Sequence, residues 1–520
     1  MPDLPARPNL DHLRHQARDL LRGARAGDAA ATRRVEAVSD RLTLAAAQLA
    51  VAREYGFPNW ARLKAEVDAR TMNLAQKVEV FLEASIRDWT GRAARLLAAT
   101  PEIAGYNFAT ALVLGDADRV RQEIESDPAL ATQPDARTGW TPLHAVCASR
   151  WHLLDPASAD GLLAVARLLL DAGASLEASA RGGGRTPLSC ATASASGGAG
   201  HEPIIRLLLE RGAVPGDQDL YLAGFAGNAH QCLRLLLDYM PDVAGSAETA
   251  LSAPISIGDT EGCRLLLEAG ADPRRYVDDP PCPAVYAAVR SACPPELVQL
   301  LVDHGADPDA PGPGGRSPYR LAVRHGRTDL AALLRQAGAR DKATDTDRFL
   351  SACLHADRAD AQRHVEDDPG ILDRLTDTEQ GAAIVQAAGA GSTAAVELML
   401  DLGFPIDARG GDWGGAALHA AAYAGSAETV RLLLARGADI EACDTTWDST
   451  PLDWAAVGSG ERPRTNPGPN WVATVRTLIE AGASCDGLSL SADDPKPPSP
   501  EVAQLLRAHG VGDERSESEG

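Results

Sequence analysis

The stretch AALHAAAYAGSAETVRLLLARGAD, from Ala416 to Asp439, decides the fold of this chain. Its second half recurs as LLLDAGA (Leu168 to Ala174), LLLERGA (Leu207 to Ala213), LLLEAGA (Leu265 to Ala271), LLVDHGA (Leu300 to Ala306), LLRQAGA (Leu333 to Ala339) and LIEAGA (Leu478 to Ala483). The closing glycines lie 35 residues apart from Gly270 to Gly305, 33 from Gly305 to Gly338 and 34 from Gly403 to Gly437. A repeat of this period marks a solenoid of stacked units, each too thin to fold alone. The 65 residues between Gly338 and Gly403 hold a degenerate copy, and LLLDYMPD (Leu235 to Asp242) fills the 58 between Gly212 and Gly270.

The first half of the stretch recurs as well, as TPLHAVCAS (Thr141 to Ser149), TPLSCATAS (Thr186 to Ser194), SPYRLAVRHG (Ser317 to Gly326) and TPLDWAAVGSG (Thr450 to Gly460). The residues have assignable physical roles. Thr141, Thr186 and Thr450 are suited to cap a helix, with Pro142, Pro187 and Pro451 at its first position, where a missing N–H costs nothing. Small residues such as Ala421 and Ala422 admit close neighbours, the leucine triplet buries a second helix, and Gly437 ends it in a left-handed conformation. On these paired phrases the chain resembles the ankyrin-repeat family over roughly residues 90 to 510. The resemblance implies an all-α ankyrin-repeat solenoid of stacked helix–turn–helix units, here preceded by an N-terminal helical segment.

A variant copy ends in Asp-Pro or Thr-Pro: LLAATPEI (Leu96 to Ile103), EIESDPAL (Glu123 to Leu130) and HVEDDPGIL (His364 to Leu372). Proline here stops the helix. Phe108, Asp127 and Pro128 match Phe349, Asp368 and Pro369 at a constant offset of 241. The array therefore reads as two parts, residues 91–340 and 341–510, the second restarting near Thr344. Three copies carry insertions between their helices, including Pro156 to Gly161, Ser194 to Glu202 and Ser459 to Asn470. Insertions of this kind map to loops, on a binding face or on a merely tolerant one.

Residues 1–90 lack the repeat. Asn9 is placed to cap a helix from Leu10 to Gly23 with an apolar stripe of Leu10, Leu13, Ala17, Leu20, Leu21 and Ala24. Thr43 opens a second helix ending at Gly56, and Pro58 a third carrying Trp60, Leu63 and Val67. The string from Leu42 to Lys64 resembles a helical leader of bacterial ankyrin proteins. Two roles stay open for it: a cap on the first repeat, or a small docking domain. Residues 511–520, ending in ERSESEG, read as a disordered tail.

Composition narrows the function. Aromatic residues make up 4% against 45% hydrophobic, so the core is built of Ala, Leu and Val. A net charge of −22 disfavours nucleic acid and anionic membrane as partners and is compatible with a basic partner or simply with solubility. No apolar run reaches about 18 residues, the length a membrane span needs, and no signal h-region opens the chain. Nine scattered cysteines read as reduced core thiols of a cytoplasmic protein. Four lysines among 50 basic residues point to a GC-rich, bacterial genome.

Partial catalytic and metal motifs stand in the sequence without their remaining parts. His144 and His419 stand at equivalent places of the repeat, which argues for a structural hydrogen bond. His12 and His15 lack a third ligand, RGGGR (Arg181 to Arg185) lacks a following Gly-Lys-Ser/Thr, and DTD (Asp345 to Asp347) lacks the rest of a calcium loop. The expectation is no cofactor, no metal and no enzyme activity. The expected function is a non-catalytic protein-binding scaffold for a protein of unknown identity. The alternatives are an accessory module of an enzyme system, or an enzyme whose site hides in residues 1–90.

The family resemblance places recognition on the turns before each first helix and on that helix's exposed side. The turn residues it singles out are Arg137, Trp140, Arg181, Arg185, Arg316, Arg409, Trp413 and Trp447. Tryptophan and arginine dominate binding hot spots. Trp140 directly precedes its helix and is expected to pack back on it. Trp413 and Trp447 stand equally for either outcome, and Tyr319, Tyr423 and Trp454 for groove or core.

Overall fold

The computed structural model of the chain describes residues 4–5, 8–38, 44–57, 60, 63, 67, 72–87, 91–135, 139–154, 156–179, 184–194, 201–225, 230–240, 250–274, 276–277, 282–411, 413–461, 470–485, 488, 490, 497–509 and 511. Each repeat is a pair of short helices, and the regular copy shows why. The helix Ala417–Tyr423 buries Ala417, Leu418, Ala420, Ala421 and Ala422, and the helix Ala427–Ala435 buries Val430 and Leu433. Gly437 then takes φ +89°, and Gly437 and Ala438 donate their N–H groups to Leu434 and Leu433 carbonyls at 3.1 and 3.0 Å. That is a left-handed helix stop, which a residue with a Cβ resists. The glycines at the same place in the other copies, from Gly173 to Gly482, share it.

First helices begin with a reciprocal cap. Thr450 Oγ1 accepts the Asp453 N–H at 3.3 Å, while Asp453 Oδ2 accepts the Thr450 N–H at 2.7 Å. Thr344 with Asp347 and Thr376 with Glu379 repeat the exchange. Two orphan donors are satisfied at once, worth about 1 kcal/mol per cap.

By its contacts the chain divides into two units, residues 78–355 and residues 1–77 with 356–520. In the first, first helices pack on first helices in sequence: Pro142–Ala148, Pro187–Ser194, Asp217–Gly224, Ser252–Ile257, Ala284–Arg290, Pro318–Arg324 and Asp345–Leu354. Second helices follow suit, from Pro156–Asp171 through Glu202–Glu210, His230–Asp238, Thr260–Glu268 and Pro295–Asp303 to Thr328–Gln336. One continuous core runs from Val78 to Ala339. In the second unit the helices Asp377–Gly389, Ala417–Tyr423 and Pro451–Gly460 stack likewise, backed by Thr393–Asp401, Ala427–Ala435, Trp471–Glu480 and Pro500–Ala508. The only strands among the described residues are two-residue hairpin pairs, Tyr276–Val277 with Cys282–Pro283 and Arg409–Gly410 with Gly415–Ala416. The fold is all-α, as the repeat implied. None of the described helices is long and apolar enough to cross a membrane.

The N-terminal helices Leu10–Arg25, Ala29–Glu36 and Leu44–Glu54 close around their own core of Leu13, Ala17, Leu20, Val35, Ala47, Val51, Leu63 and Val67. Asn9 caps the first, accepting the His12 N–H at 3.1 Å. The helix Ala29–Glu36, capped by Asp28, was not foreseen from the sequence. Pro58, and the tail beyond Val511, lie outside the described residues.

Two expectations meet a different arrangement. The segment from Leu74 to Arg87, assigned to the N-terminal part by its lack of the repeat phrase, is a helix whose Val78, Phe81 and Ala84 belong to the core of the first array. The insertion Pro156 to Gly161 is no loop. It prolongs the second helix to Pro156–Asp171, 16 residues, behind a short helix Trp151–Leu154. Alanines favour the extension, and Gly161 permits it: a Cβ there would lie 2.3 Å from the Gly115 carbonyl oxygen. Of the other two insertions, residues 195–200 and 462–469 lie outside the described residues.

Candidate protein-binding surface

Trp413 and Trp447 stand 34 residues apart, one repeat, each three positions ahead of its first helix's capping residue. Equal register in consecutive repeats brings their rings together, with centroids 5.5 Å apart. Beneath them lie Trp454 and Tyr423, at 5.6 and 5.9 Å from the Trp413 ring and turned edge-on to it. Trp454 is 8% exposed and roots the group, whereas Trp413 and Trp447 keep 36% and 57% of their surface open. Edge-to-face and offset contacts of this kind add about 0.5–1.5 kcal/mol each beyond area burial.

The turns carrying the rings are held by Asp444. Its carboxylate accepts the backbone N–H groups of Thr446, Trp447 and Ser449 at 2.8, 2.6 and 3.2 Å, and the Trp454 indole N–H at 2.8 Å. Burial works against the charged form, but the Trp447 N–H, the Trp454 indole and the other amides hold the carboxyl below its ordinary pKa. Thr446 Oγ1 donates to the Trp413 carbonyl at 3.0 Å, tying one tip to the next. Gly414, at φ +63°, leaves room for this approach, since a Cβ there would overlap Thr445 Oγ1. Tyr423 OH donates to Glu461, and Trp471 Nε1 donates to the Tyr423 carbonyl at 2.9 Å.

Arg409 is exposed, yet its guanidinium serves the scaffold. Nη1 donates to the carbonyls of Gly414 at 3.1 Å and Cys443 at 2.5 Å, stapling the same two tips. The other named residues are dispersed. Arg185 is exposed, and its carbonyl faces His144 Nε2 at 3.0 Å. Arg316 is half-buried, its carbonyl accepting the Gly312 N–H at 2.9 Å. Trp140 is half-buried with its ring 5.9 Å from His144. Arg137 and Arg181 lie outside the described residues. Tyr319 is half-buried under the Arg335 guanidinium, 5.8 Å from its ring centre.

The histidines of the first helices bridge repeats. His419 Nδ1 accepts the Ala416 N–H at 3.2 Å and its Nε2 donates to the Ser449 carbonyl, also at 3.2 Å. His144 does the same between Thr141 and Arg185. Burial lowers the pKa of both, so each ring serves neutral, as one acceptor and one donor. In other copies Asp347, Glu379 and Asp453 take this place, so the position needs an acceptor for the cap and not a histidine.

The aromatic grouping was missed as a group at the level of sequence. Two signals carry it: the one-period spacing of Trp413 and Trp447, and Asp444 placed two and three residues before Thr446 and Trp447, the spacing of an Asx turn. What the surface supplies is rigid ring area with low ordering cost, the usual material of a protein contact.

Comparison with known proteins bears on the family. Models of the ankyrin repeat match residues 138–181 and 183–220, and the model of three ankyrin repeats matches residues 352–444 and 384–486. Cyclin-dependent kinase 4 inhibitor B of Mus musculus is 34% identical over 99 residues, which are 19% of this chain and 74% of that protein. Its counterpart in Rattus norvegicus is 33% identical over 99 residues, with the same shares. The crystal structure of an ankyrin repeat domain from Acinetobacter baumannii AYE aligns with 38% of this chain and 98% of its own, at 23% identity and a TM-score of 0.31. With its repeated capped hairpins and these relatives, the chain belongs to the ankyrin-repeat family, whose repeats are generally protein–protein interaction modules and typically carry no catalysis.

Proposed function

We propose that the chain is a non-catalytic cytoplasmic scaffold that grips a partner protein with the aromatic tips of its second array. One observation carries this reading: Trp413 and Trp447 are exposed while their backbone and neighbours are held fast. The open faces of two large apolar rings on ordered turns stay against water, and a partner's surface recovers that cost. Hot-spot tryptophans typically contribute about 2 kcal/mol or more each. The relatives found are named as inhibitors of another protein, a kinase, which supports a protein as the partner here. Nine cysteines without a disulfide are in keeping with a reducing compartment.

The test is capture from the native host with mass spectrometry, using the wild-type chain and the double variant Trp413→Ala, Trp447→Ala. The expected result is a partner held by the wild type and lost by a variant that is still folded. A partner set that survives the double substitution overturns the assignment of this surface. A double variant that no longer folds overturns it too, because the rings would then be core.

A further inference from the structure

The tips of the second array offer more than apolar area. The face of an indole ring is negative, and a cation gains most over tryptophan. Trp454, at the root of the group, donates its indole N–H to the Asp444 carboxylate at 2.8 Å, and that carboxyl is held in its charged form. A donor bonded to an anion is polarised by it, which raises the electron density of the ring behind the N–H. Arg409, the cation on the same turns, is already committed to the Gly414 and Cys443 carbonyls. Among the described residues no lysine or arginine lies over Trp413, Trp447 or Trp454. In the unit of residues 78–355, by contrast, the chain's own Arg335 covers the Tyr319 ring.

Spacing decides which cation fits. The centroids of Trp413 and Trp447, Trp413 and Trp454, and Trp447 and Trp454 lie 5.5, 5.6 and 6.3 Å apart, their planes inclined at 48°, 70° and 62°. An alkylated ammonium caged between two ring faces needs about 7 Å, two carbon contact distances. These rings touch one another instead, so what they present is an outer face. Trp447 has the most of it, with 57% of its surface open. A flat guanidinium stacks on such a face, whereas a compact and strongly hydrated ammonium gains less from it. The net charge of −22 adds a general attraction for cations.

We propose that the open face of Trp447, backed by Trp413 and Trp454, seats an arginine side chain of the partner protein, with the guanidinium stacked on the ring. This rests on the reading that the tips are the contact surface, and it adds the chemistry of the residue they take.

Fluorescence anisotropy of the full chain at physiological salt tests it, with the fluorescein-labelled peptide Gly-Arg-Gly-Arg-Gly and three peptides carrying citrulline, lysine or trimethyl-lysine in place of arginine. Citrulline keeps the shape of arginine and loses the charge, and lysine keeps the charge and loses the flat face. The arginine peptide is expected to bind about tenfold more tightly than the citrulline one and about threefold more tightly than the lysine one. The variant Trp447→Leu, which keeps an apolar side chain and removes the ring, should weaken the arginine peptide by about tenfold and so erase its lead over citrulline. Citrulline or lysine binding as tightly as arginine overturns the proposal and leaves the tips as an apolar contact. Tighter binding of trimethyl-lysine overturns it in favour of a caged ammonium. An arginine peptide that fails to bind, or that binds Trp447→Leu unchanged, overturns it as well, while partner capture with Trp413→Ala, Trp447→Ala decides separately whether the tips are the contact surface.

Discussion

Trp140 and the pair Trp413 and Trp447 share one place in the repeat, the turn ahead of the first helix, and end in different surroundings. Trp140 stands next to the capping Thr141, so its ring lies over its own repeat's His144 and walls a groove. Trp413 and Trp447 stand three residues before the cap, far enough out for the ring of one repeat to reach the ring of the next. A shift of two residues along the turn thus separates a wall from an exposed contact. The neighbour supplies the rest: Trp454 and Asp444 receive and fix the pair in the second array.

The largest effect that would sharpen this contrast is loss of Asp444. Asp444→Ala strands three backbone N–H groups and an indole N–H, and should cost about 3 kcal/mol of stability, read as a lower melting temperature with faster amide exchange at Thr446 and Trp447. An unchanged melt would show that the tips are not held as described.

Acid separates the two arrays next. His201 is buried and its pKa is lowered to about 3, first by burial and then by its neighbour His152, against a bond to the Ser149 carbonyl. Its ring centroid lies 3.6 Å from that of His152, the two planes tilted by 36°. A base whose folded pKa is depressed contributes fully above its unfolded value near 6.5, and that contribution falls as pH drops below it. The loss is about 1.4 kcal/mol per pH unit, hence about 2 kcal/mol at pH 5. Burial lowers His144 and His325 in the same unit, and His419 in the other, in the same sense. Asp444, depressed instead as an acid, keeps its contribution until pH falls below the ordinary carboxylate range and through its folded value. Amide exchange against pH should therefore show the helices around His201 opening first. Simultaneous opening of both arrays at pH 5 would break the contrast.

Smaller differences come from the rings. Trp140→Ala should cost about 1.5 kcal/mol, since a half-buried ring leaves a partial cavity. Trp413→Ala with Trp447→Ala removes the ring contacts with Trp454 and Tyr423 and should cost about 2 kcal/mol in melting while removing most of the affinity for the partner. If Trp140→Ala removes that affinity and the double variant keeps it, the roles of the two regions are reversed.

Much of this protein is written locally. The threonine–proline caps, the alanine-rich first helices, the leucine triplets and the stops at Gly437 and its equivalents act within one repeat, so a single sequence exposes them. The place of the bridging histidines is local as well, because the cap they complete is three residues away. What the chain alone left open depends on partners far along it. Trp151 reaches Ser85 across 66 residues, Arg150 reaches Ile86 across 64, and those bonds hold the helix Leu74–Arg87 in the array. Trp413 and Trp447 were legible as candidates, yet their exposure followed from which rings the adjoining repeat presents. Local periodicity determines the hairpin and its stacking. The tertiary structure decided which side chains remain outside, because burial is a property of neighbours and not of the segment itself.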